Sequence, residues 1–78
     1  AGFFDEWAAG LTACLERCKA KGYFRKELDA RATAESLVAL YEGAMMLARS
    51  RRDATVFGRV GKIAKLILVQ YKAVKQEA

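Results

Sequence analysis

The stretch from Ala30 to Arg51 limits what this chain can become more than any other part of it. It reads as one long helix, and it is apolar nearly all the way round. At about 3.6 residues per turn, Ala34, Leu37, Val38, Leu40, Tyr41, Ala44, Met45, Leu47 and Ala48 cover about half of the circumference. Ser36, Gly43 and Met46 take much of the rest. Glu35, Glu42 and Arg49 are left as a single polar line. Such a helix must be buried on more than one side. Two neighbours from the same chain cover only part of it, so a second chain is expected. Gly43 points the same way. A mid-helix glycine costs up to ~1 kcal/mol relative to alanine, and close approach of another helix is the usual compensation. Ser36, Leu40, Gly43 and Leu47 fall on one side as a small–large seam.

The flanking segments supply the neighbours. A first helix is expected over about Phe3 to Lys21, with Phe4, Trp7, Ala8, Leu11, Cys14, Leu15 and Cys18 on one stripe. Asp5 and Glu6 in its first turn and Lys19 and Lys21 in its last oppose the helix dipole. Gly22 provides a left-handed stop. After the short connection Tyr23–Leu28, Asp29 is placed to cap the second helix, and Asp53 to cap the third, over about Ala54 to Gln76. The third helix carries Val56, Phe57, Val60, Ile63, Ala64, Ile67, Leu68, Tyr71 and Val74 on a broad stripe. Lys62, Lys65, Lys72 and Gln76 lie opposite, and Leu66 and Val69 away from the stripe's centre. Gly58 and Gly61 again permit close packing.

The fold class is therefore all-α: three amphipathic helices in one domain, residues 1–78. The last two are expected to form a four-helix bundle across a homodimer about a two-fold axis. The residues predicted to face the partner are Ser36, Leu40, Gly43, Ala44 and Leu47, with Val60, Ala64, Ile67, Leu68 and Tyr71. The first helix would pack outside.

Composition narrows the function. At 78 residues a single core is marginal and a partner chain is a common remedy. With 54% hydrophobic residues the chain is too apolar to be disordered. Its net charge of +5 is spread evenly and reads as solvated outer faces. Two cysteines without any histidine make no zinc site, and no cofactor is expected. There is no glycine-rich phosphate loop and no nucleophile with an adjacent base, so no enzyme is expected either. No apolar run reaches the roughly 18 residues of a membrane span, and no signal peptide is visible. A cytoplasmic protein is expected. The start at Ala1-Gly2-Phe3-Phe4 falls inside an amphipathic pattern, as in a piece of a longer protein.

Some side chains are candidates for chemistry. Trp7, Leu11, Tyr41 and Met45 combine aromatics with a soft thioether, as the wall of a pocket for a small apolar effector would; the same spacing also suits ordinary core. Cys14 and Cys18 share a face near Arg17, Lys19 and Lys21, which would favour a thiolate sensor. Their separation by one turn suits a disulfide poorly, and inert packing is the simpler role. Arg49, Arg51 and Arg52 offset the negative end of the second helix, with Asp53 pairing locally.

A family resemblance rests on three strings: Gly22-Tyr-Phe-Arg-Lys-Glu-Leu-Asp29, Ala34-Glu-Ser-Leu-Val-Ala-Leu-Tyr-Glu-Gly-Ala-Met-Met-Leu-Ala48, and Arg49-Ser-Arg-Arg-Asp53. Together they resemble the C-terminal domain of TetR/AcrR-type transcriptional regulators, with a Gly-x-x-Arg-x-x-Leu-Asp turn, a Gly-Ala helix and an Arg-Asp end. Ala54 stands where proline commonly follows. The resemblance implies a homodimer, a small-molecule pocket, and DNA binding through an N-terminal helix-turn-helix that these residues do not contain. A free-standing helical homodimer acting as an interaction or adaptor protein is the alternative.

Overall fold

In the computed structural model, which describes residues 2–73, the chain forms three helices: α1 (Phe3–Ala20), α2 (Ala30–Arg51) and α3 (Thr55–Gln70). The ends of α1 and α2 and the starts of α2 and α3 have local causes. α1 ends at Gly22, whose φ of +80° lets the backbone reverse. The amides of Gly22 and Tyr23 donate to the carbonyls of Lys19 and Cys18, each at 2.9 Å, which satisfies the last turn. The Asp29 carboxylate accepts the Ala32 amide at 3.0 Å and so starts α2. α2 closes in the same manner as α1, with Arg52 in the left-handed position and the Asp53 amide on the Ala48 carbonyl at 2.9 Å.

Asp53 then prepares α3, as its position suggests. Its carboxylate accepts the Thr55 hydroxyl and, at 3.0 Å, the Thr55 amide. The ion pair of Asp53 is with Arg59, at 3.4 Å, rather than with the arginines that precede it. Hydrogen bonds from Thr55, hydroxyl first and amide second, together with Arg59, hold its carboxyl below the ordinary range.

α3 ends at Gln70, short of the predicted Gln76; Val74 and Gln76 lie outside the described residues. The α1–α2 connection takes the carbonyls that a longer helix would need for itself. Arg25 donates its amide to the Tyr71 carbonyl at 2.8 Å and its guanidinium to the Gln70 carbonyl at 2.7 Å. The Ala73 amide returns a bond to the Tyr23 carbonyl at 3.0 Å. The Arg25 guanidinium also lies 5.4 Å from the centre of the Tyr71 ring. Beneath this clasp sits Leu28, which is 1% exposed. It packs with Leu15, Ala30 and Ala34, and Leu11, Phe24, Leu68 and Tyr71 close over the cluster. Lys19 steadies the connection by donating to the Leu28 carbonyl at 2.7 Å.

α1 and α3 each pack along α2, and among the described residues their backbones do not pack along one another. The molecule is correspondingly thin, 13 Å between Cα atoms in its shortest direction. Packed helix axes stand about 8–10 Å apart, so this is little more than one layer. A closed core needs two.

Two outcomes follow. Leu28→Ala should lower stability by about 3 kcal/mol, as for other fully buried leucines, read by urea unfolding at fixed protein concentration. Asp53, with its carboxyl depressed in the folded state, contributes stability above the ordinary aspartate range that is lost as pH falls through the lowered value. A carboxyl-detected NMR titration should place its midpoint below 3.8, and Asp53→Asn should remove that part of the acid dependence. A midpoint at or above the ordinary value would contradict the assigned hydrogen bonds.

Candidate interface and ligand groove

The outer face of α2 carries a continuous line: Ala32, Ser36, Ala39, Gly43, Met46 and Ser50, all exposed. Their spacing alternates four and three, the rhythm of helix-to-helix seams. No charged residue interrupts them. Ser36 donates its hydroxyl to the Ala32 carbonyl at 2.7 Å, so its donor is already used within the helix. Met46, 72% exposed, stands at the end of the line nearest Ser50. At Gly43 the space a side chain would fill is open, so the close approach anticipated there is not made within the chain. Leu40 and Leu47 border the seam. On α3, Ile63, Leu66 and Val69 are exposed on the side away from Leu68.

The residues expected at a partner interface divide accordingly. Ser36, Gly43 and Leu47 are exposed, and Leu40, Val60, Ala64 and Ile67 are half-buried. Ala44, at 2% exposure, is covered by its own chain. Leu68 and Tyr71 pack on the Leu28 cluster, with Tyr71 under Arg25. Ala44 is thus covered within the chain, whereas Leu68 and Tyr71 stay half-buried after making these contacts. Among the described residues of the broad stripe of α3 only Val56 is buried by its own chain; Phe57 and Ile63 are exposed, as are Leu66 and Val69, which lie off that stripe.

A groove opens at the other end of α1. It is lined by Phe3, Phe4, Glu6, Trp7, Tyr41 and Met45 and has a volume of about 640 Å³. Trp7 meets Tyr41 edge to face, with ring centres 5.1 Å apart and planes at 87°. Phe57 extends the aromatic row from α3, 6.1 Å from Tyr41. Trp7, Tyr41 and Met45 share this groove, whereas Leu11 packs against the Leu28 cluster. Phe3, Phe4 and Glu6 were not singled out from the sequence as groove residues. The signal was present, since Phe3 and Phe4 precede Trp7 by four and three residues and share its side of the helix.

Other candidates fare differently. Cys14 and Cys18 are free thiols; Cys14 is exposed, so packing inside a core does not describe it, and Cys18 is half-buried. Arg49, Arg51 and Arg52 are exposed at the C-terminal end of α2. Among the described residues no group of three or more His, Cys, Asp or Glu is placed to hold a metal ion, and no helix is long and apolar enough to cross a membrane.

Comparison with known proteins gives one finding. A family model described as "Tetracyclin repressor-like, C-terminal domain" matches residues 1–64. That span takes in α1, α2 and the first part of α3, and hence the whole outer seam of α2 and all of the aromatic groove. Neither the curated proteins nor the solved structures give a match.

Proposed function

From the premise that the chain belongs to the tetracyclin repressor-like C-terminal domain family, we propose that it is the dimerisation and small-molecule-sensing part of a TetR-type transcriptional repressor. The observation that carries this reading is the charge-free exposed seam of α2 at Gly43. Two copies pair seam to seam about a two-fold axis, and their α2 and α3 helices make a four-helix bundle. The small residues let the two α2 backbones approach closely. Ile63, Leu66, Val69 and Leu47 then close over the rim, and the thin layer gains the second layer that its core requires. The aromatic groove takes an apolar effector. DNA contact falls to a helix-turn-helix outside these residues, and this domain sets the spacing of two such heads.

Light scattering after size exclusion, over a range of concentrations, should return the mass of a dimer. Gly43→Leu separates interface from fold. A Cβ there meets nothing within 4 Å in its own chain, and leucine favours the helix by up to ~0.8 kcal/mol. Its circular dichroism should therefore match that of the parent. The dimer should weaken roughly tenfold or more because the bulky side chain overpacks the seam. A Gly43→Leu chain that stays dimeric at the same concentrations would place the interface elsewhere.

A further inference from the structure

We infer that the groove over Trp7 and Tyr41 selects organic cations over anions of the same size and apolarity; this rests on that groove being the effector site proposed above. Four aromatic rings gather there. Phe3 lies 5.4 Å from Phe4 and 6.1 Å from Trp7, Phe4 lies 6.5 Å from Trp7, and Trp7 lies 5.1 Å from Tyr41. None of these pairs is a parallel stack that would hide both ring faces, and Phe3, Phe4 and Tyr41 remain exposed. Those faces carry the negative side of the ring quadrupole and attract a positive charge. Met45 adds a polarisable sulfur.

Charge at the rim decides the sign. Glu6 is the one charged residue in the lining, and among the described residues it has no cationic partner. No lysine or arginine lines the groove, although the chain as a whole is +5. The contrast with the opposite end of the molecule is direct. There, a second groove beside the clasp is lined by Lys21 and Lys72 together with Tyr23 and Phe24. The half-positive start of α1 lies near the aromatic groove, and Asp5 and Glu6 in the first turn offset it. The volume of about 640 Å³ suits a compact organic molecule.

Trp7 is the only tryptophan, so its fluorescence reports on this groove. The test titrates the 78-residue chain with tetraphenylphosphonium and, separately, tetraphenylborate. The two ions match in shape and apolarity and differ in charge. Non-specific attraction to a +5 protein favours the borate, so a preference for the phosphonium must arise locally. The expected result is saturable quenching by phosphonium at roughly fivefold lower concentration than by borate. Glu6→Gln should weaken phosphonium binding and leave borate binding unweakened. Tyr41→Leu should weaken phosphonium binding as well. Equal affinities, or a preference for borate, would overturn the selection of cations and leave an apolar effector groove standing. No saturable response to either ion would remove the groove reading itself.

Discussion

Leu28 is the largest side chain that the described residues hide completely, and its burial organises everything near it. Its partners Ala30 and Ala34 are small, which lets the connection lie close against α2. The Leu28 carbonyl is held by Lys19 from α1, and Arg25, three residues earlier, reaches the end of α3. The turn Gly22-x-x-Arg25-x-x-Leu28-Asp29 therefore does four separate jobs. It reverses the chain, grips the last turn of α3, fills the core and starts α2. Without Leu28 in place the α3 terminus would lose the apolar floor on which Leu68 and Tyr71 rest.

Much of this was legible in the sequence because it is local. The Gly22 stop and the Asp29 and Asp53 caps are properties of a few consecutive residues, and the structure has them in those roles. The surplus apolar surface of α2 was legible too, since it follows from periodicity alone. The rest depends on contacts between distant segments. A hydrophobic stripe shows that Ala44, Leu68 and Tyr71 must be covered, but not whether the chain covers them itself. The end of α3 at Gln70 was hidden for the same reason: its terminal carbonyls are taken by Arg25, and nothing near Gln70 in sequence announces that. In the groove, Trp7, Tyr41 and Met45 stood out by residue type, whereas Glu6 matters only through the neighbours that the fold gives it.

The two candidate surfaces share one helix. Tyr41 of the groove and Gly43 of the seam are two residues apart and point to nearly opposite sides of α2, since each residue turns the helix by about 100°. A molecule entering beside Tyr41 thus presses on the same turn that a partner would press from behind. In the proposed reading, a shift of α2 at this turn changes the dimer without any message having to cross the protein.

The clasp also orders events in time. The bond from Arg25 to Gln70 spans 45 residues, and closing a loop of that length costs about 3 kcal/mol of chain entropy. The α1–α2 hairpin forms from near neighbours and faces a smaller cost of this kind. As the polypeptide leaves the ribosome, the first two helices can meet while the groove beside Leu28 still lacks its lid. Only when Tyr71 has been synthesised can the last turn of α3 dock. Until then the nascent chain shows chaperones and proteases the apolar surface that the finished protein keeps for itself.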